Sequence, residues 1–113
     1  MVTELGKIAA VRCGIGGYQD AMLGISFVFS GEAWGVQSPF YGAWCPGLIK
    51  INDRTEWTEQ DRDRQFAEAF RKIGEVLQDA KKDDVSKLVG VPVECTFDDN
   101  RSLHSWRILK EVL

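Results

Sequence analysis

One contrast constrains this chain more than any other. Residues 18–44 interleave Tyr18, Phe27, Phe29, Trp34, Phe40, Tyr41 and Trp44 with glycine. Residues 57–88 instead form a charged stretch with helical periodicity and almost no turn residues. Aromatic and β-branched side chains fit a pleated, half-buried surface, whereas a 3.6-residue repeat fits a helix. The pattern therefore predicts a small sheet with a helix laid across it.

The strands follow from alternation. Residues 7–13, KIAAVRC, place Ala9, Val11 and Cys13 on one face, and GIGG at 14–17 then predicts a turn or wide hairpin loop. A glycine-rich loop cradles phosphate only when a helix follows, and here a strand-like run follows. In AMLGISFVF at 21–29, Leu23, Ile25, Phe27 and Phe29 share one face, opposite Gly24, Ser26 and Ser30. Gly24 predicts a bulge or room for a bulky neighbour. Ser30-Gly31 signals a turn, and 33–37 a return strand. Residues 38–56, with two prolines, read as an irregular loop, with LIKI at 48–51 as a short strand inside it.

Thr58 and Asp61 fit a capping box, and early acids suit the positive end of a helix. Phe66, Ala69, Phe70, Ile73, Val76, Leu77 and Ala80 form one apolar stripe. Gly74 lowers helix propensity, and close approach of helix to sheet would explain it. Asp83 or Asp84 caps a short turn that Gly90 ends. The tail is a hairpin. Val91, Val93, Cys95 and Phe97 alternate, Asp98-Asp99-Asn100 turns, and 103–109 returns with His104, Trp106 and Ile108 on one face. The expected fold is a single α+β domain over 1–113. It is an antiparallel sheet of about five strands, β-β-β-loop-α-β-β, with one long amphipathic helix packed on one face. In the expected core, Phe66, Phe70, Ile73 and Leu77 pack on Leu23, Ile25, Phe27 and Phe29.

Composition excludes some functions. Hydrophobic residues at 44% and charged residues at 27% match an ordinary globular protein of 113 residues. Fourteen basic against 17 acidic residues, a net charge of −3, argue against a dedicated nucleic-acid binder. Cys13, Cys45 and Cys95 are odd in number and lack CxxC spacing, so free thiols in the cytoplasm are expected. No cofactor and no metal site are expected, since a single histidine offers no ligand pair. The first residues lack a signal-peptide pattern, and no apolar run approaches the ~18 residues of a membrane span.

Three functional readings remain open. The first is a non-enzymatic accessory or interaction protein that binds a protein partner, or a second copy of itself, through an aromatic loop or a sheet edge. Its candidate binding residues are Tyr18, Trp34, Phe40, Tyr41 and Trp44, because Trp and Tyr are enriched at binding hot spots. Four of them fall within residues 34–44, which predicts a homodimer through that segment or a monomer with Trp44 folded against Trp57. The second is a small-ligand domain with a pocket between 14–18, 38–47 and the helix. The third is a cysteine-dependent enzyme using Cys45 with His104 and Asp20 or Asp53, although no nucleophile motif surrounds Cys45.

Three stretches carry a resemblance: GGYQDAMLGISFVFSGEAWGV at 16–36, WTEQDRDRQFAEAFRKIGEVL at 57–77 and KLVGVPVECTFDDNRSLHSWRIL at 87–109. They resemble a family of short uncharacterised proteins of bacteria and their phages or mobile elements. The resemblance spans most of the chain. It implies a cytoplasmic bacterial or phage setting and assigns no activity, cofactor or site residue.

Overall fold

The computed structural model describes residues 1–113 as an antiparallel sheet of six strands with one long helix packed against it. The strands are β1 (Val2–Gly16), β2 (Met22–Gly31), β3 (Trp34–Gln37), β4 (Tyr41–Trp44), β5 (Pro92–Phe97) and β6 (Leu103–Ile108). The helix, α1, spans Glu59–Ala80. Ladder order is β3-β2-β1-β5-β6, and β4 pairs with β2 on the same side as β3. The class is the α+β arrangement expected.

The long strand β1 organises the sheet. Its first part, Val2 to Lys7, pairs with β5, and its second part, Lys7 to Gly16, pairs with β2. A bulge between Ile8 and Ala10 separates the two regions. Bulges bend a strand and increase its twist. The bend carries β5 and β6 over the face of β2. Trp106 on β6 thereby lies 5.1 Å from the Phe27 ring and 4.7 Å from the Phe29 ring, although two strands separate β6 from β2 in the ladder. Ile8, Ile25, Phe27, Phe29, Val93 and Cys95 are fully buried in the resulting core.

Local signals explain the helix and the tail. The Thr58 hydroxyl accepts the Asp61 N–H at 3.1 Å, and the Asp61 carboxylate accepts the Thr58 N–H at 2.9 Å. These bonds hold the Asp61 carboxyl below its ordinary range. Lys81, in a left-handed conformation, ends the helix. Asp84 caps the short turn at Val85–Lys87. Asp98 accepts the N–H groups of Asn100 and Ser102 and so closes the β5–β6 turn.

Several expectations need correction. β1 continues through the glycines to Gly16, because Gly14 and Gly16 pair with Gly24 and Met22, and the chain turns at 17–21 instead. LIKI forms no strand; Leu48 and Ile49 donate to the Cys45 carbonyl in a turn. The fourth strand is YGAW at 41–44, inside the segment expected to be irregular. The close approach belongs to β2 and β4, where a side chain on Gly24 would collide with the Tyr41 and Gly42 backbone. At Gly74 a β-carbon would touch nothing within 4 Å.

The core is also narrower than expected. Phe70 is 73% exposed and Leu23 40% exposed, while Phe66 is half-buried. The helix turns Arg62, Ala69, Val76 and Ala80 inward, so Phe70 falls at the margin of the apolar stripe. The helix contacts mainly β4, and Trp106 and Tyr41 occupy the layer above the β2 phenylalanines. Leu23 pairs with Ile15, itself exposed, at the end of β2 that this layer leaves open.

Two stability measurements follow. Phe27→Ala is expected to cost about 3–5 kcal/mol in urea unfolding, as for large buried rings, whereas Phe70→Ala changes stability by less than about 0.5 kcal/mol. Gly74→Ala is expected to stabilise the protein by about 0.5–1 kcal/mol, since helix propensity rises and no neighbour obstructs the methyl group. A loss of stability at Gly74→Ala contradicts this packing.

Candidate functional site

The structure divides the aromatic residues into two groups. Trp34 lies over Gly6 and Gly31 and meets the Phe97 ring edge-on at 5.3 Å. Tyr41 faces the core, 6.3 Å from Phe27, and its hydroxyl accepts the Trp106 indole N–H at 2.8 Å. These two support the fold. Tyr18, Phe40 and Trp44 gather instead at the tip of the β1–β2 hairpin. Tyr18 is 68% exposed and meets Trp44 edge-on at 5.9 Å, and Phe40 packs against Gly16 and Gly17. Trp57 stacks with Arg62, whose guanidinium carbon is 4.6 Å from its ring centroid.

The tip is a tight reversal. Gly17, Gln19 and Asp20 all have positive φ, and the Ala21 N–H closes the turn on the Tyr18 carbonyl. Beside it, on the sheet, lies a depression of about 630 Å³. Its lining includes Arg12, Gly14, Asp20, Ser26, Gln37 and Phe40. Gln37 donates to the buried Ser26 hydroxyl at 3.3 Å. The glycines leave its floor without side chains. It borders the residues 14–18 and Phe40 expected around a pocket, but no helix residue lines it.

The depression runs along a free strand edge, and the hydrogen bonds identify that edge residue by residue. Phe27 donates its N–H to the Ser38 hydroxyl and accepts the Ser38 N–H, so its backbone points away from β1. Paired residues in an antiparallel ladder point toward each other or away from each other together. Val11, the partner of Phe27, therefore points its N–H and C=O away from β2. Alternation assigns the same direction to Cys13 and Ile15. β5 covers this side of β1 only as far as Lys7, and Ile8 bonds with Gly90 and Val91. Beyond the bulge, nothing pairs with the outward groups of Val11, Cys13 and Ile15. On the same face as these three side chains lies exposed Leu23, with Ile15 49% exposed.

Two cations that the sequence pattern did not single out face inward from α1. Arg62 is buried; one terminal N–H donates to the Ile49 carbonyl, and its Nε–H has no partner. Lys72 places its ammonium 4.8 Å from the Trp106 ring centroid and 5.4 Å from that of Tyr41. These contacts fasten the helix to the 45–57 segment and to the aromatic layer.

The carboxyls held at shifted values serve structure. The carboxyls held below their ordinary range are Asp61 and Asp84, which cap turns, and Glu111, paired with Arg107 at 2.7 Å. No hydrogen bond joins Cys45 to His104, which is exposed on β6. No group of three His, Cys, Asp or Glu side chains is placed to hold a metal ion. No helix is long and apolar enough to cross a membrane. No protein-family model, curated protein or solved structure matches this chain.

The three thiols are free but differ in access. Cys13 is exposed, Cys45 half-buried and Cys95 buried, where burial pushes its thiol up to about 11. Thiolate is the reactive form, so Cys13 is expected to label first with iodoacetamide at pH 8 and Cys95 only on unfolding. Peptide mapping by mass spectrometry checks the order. Early labelling of Cys95 contradicts the core described.

Proposed function

We propose that this chain is a non-enzymatic interaction protein whose docking surface is the distal part of the β1–β2 hairpin. An extended partner segment adds beside β1, bonding to Val11, Cys13 and Ile15, with Tyr18, Phe40 and Trp44 at the end of the track. The observation that carries the reading is the row of unpaired backbone groups along the distal half of β1, the longest strand of the sheet, beside the depression. Such an edge is a template for strand addition, in which main-chain bonds supply affinity and alternate side chains supply selectivity. One side of the added strand meets apolar Ile15 and Leu23. The other meets the depression with Arg12 and Asp20.

The setting belongs to the same proposal: a cytoplasmic protein of bacteria or their phages and mobile elements, supported by three unpaired cysteines and the resemblance of its sequence. The depression also supports a second reading, a small polar ligand held between Arg12, Asp20 and Gln37.

A displayed library of linear peptides tests the first reading. Selection on the folded protein should return peptides that bind the wild type and lose most affinity for Ile15→Pro. Proline removes the outward N–H of Ile15 and leaves the bonds to β2 untouched. Selection of no binder, or of binders indifferent to Ile15→Pro, contradicts strand addition at β1.

A further inference from the structure

We infer that the strand added beside β1 is β1 of a second copy, the two copies being related by a two-fold axis at Cys13. The inference rests on the edge-binding reading above and names its occupant. A two-fold interface brings the same patch from both copies together, and adjacent antiparallel strands satisfy that symmetry. The outward residues are the odd ones, Val11, Cys13 and Ile15, so they must face odd residues of the second copy to exchange both bonds.

That condition leaves few registers. Pairing Val11 with Cys13 places Arg12 directly opposite Arg12, and like charges opposite each other destabilise a ladder. Pairing Cys13 with Ile15 leaves Val11 opposite Gly17, where the strand has already ended. An axis at Val11 or at Ile15 leaves Cys13 opposite Ala9 in the bulge or opposite Gly17. Pairing Cys13 with Cys13 uses all three outward residues, with Val11 opposite Ile15 on both sides of the axis.

The side chains suit this register on both faces. On one face, Val11 and the exposed Ile15 of the two copies cover each other. On the other, Arg12 of each copy falls opposite Gly14, where even an added β-carbon would meet nothing within 4 Å and no side chain competes for space. Asp20 lines the same depression as Gly14 and offers an opposite charge. In a hydrogen-bonded antiparallel pair the α-carbons are about 5.5 Å apart and the β-carbons lie at the wide end of about 4.5–5.5 Å, more than the roughly 3.5–4.5 Å of a relaxed disulfide but within reach of a short thiol cross-linker. Cys13 therefore reports on the register, although the dimer itself requires no covalent bond.

Sedimentation velocity of the full chain in reductant, over a range of concentrations, should show a monomer becoming a dimer. Ile15→Pro should raise the dissociation constant by about tenfold or more while leaving the circular dichroism spectrum of the monomer unchanged. Arg12→Glu, at an exposed position that leaves the fold intact, should weaken the dimer in the same direction by setting two acids together. Without thiol reductant, a short bismaleimide adds one thiol across each of its two alkenes, and the covalent dimer should be linked through Cys13 alone. Cys13→Ser should abolish that link yet retain the dimer in reductant. A monomer at every concentration, a dimer indifferent to both Ile15→Pro and Arg12→Glu, or a link through Cys45 overturns the inference. A monomer that still binds selected peptides at β1 overturns self-pairing and leaves the edge-binding reading standing; a monomer that binds none overturns both.

Discussion

The Trp106–Tyr41 hydrogen bond above Phe27 and Phe29 is the contact on which the rest of this structure depends. It joins the last strand to β4 across the face of β2. Aromatic pairs of this kind contribute about 0.5–1.5 kcal/mol each beyond burial, and a satisfied indole N–H avoids the cost of a buried orphan donor. The Lys72 ammonium then rests on both rings, so the helix takes its position from them. Helix, first sheet half and second sheet half meet at one point.

That closure also creates the surface proposed for binding. For β6 to reach over β2, β5 must leave β1 at Lys7, and the bulge at Ile8–Ala10 bends β1 to allow it. The cost is a stretch of β1 with a neighbour on one side only. Proteins commonly blunt such edges with charge, proline or a bulge. Here the bulge lies at the start of the stretch, and Arg12 is its one charged residue. The unpaired groups of Val11, Cys13 and Ile15 are thus a consequence of how the core closes.

Much of this was legible in the sequence where a local rule acts alone. The capping box at Thr58 and Asp61, the Asp98 turn and the alternation of β2 each depend on residues within a few positions of one another. The misreadings arise where distant contacts decide. YGAW has too little alternation to announce a strand, and it becomes one because Gly24 and Gly42 let two backbones approach. Phe70 fits the apolar stripe yet lies outside, since the helix rests on β4 and turns its neighbouring face inward. Arg62 falls seven residues before Ala69 and shares its face. Its charge disguises an inward position that Trp57 and the Ile49 carbonyl make tolerable. Of the candidate binding residues, Tyr18, Phe40 and Trp44 converge at the hairpin tip. The free edge carries no compositional signal, because it is a property of pairing and not of any residue type.

Residue-resolved amide hydrogen exchange tests the free edge most directly. In dilute protein, the Val11, Cys13 and Ile15 amides should exchange rapidly while Arg12 and Gly14, bonded to β2, stay protected. Raising the concentration should slow the odd residues and leave the even ones as they were. Equal protection of odd and even residues in dilute protein would contradict the account, because it would mean that β1 already has a partner on both sides.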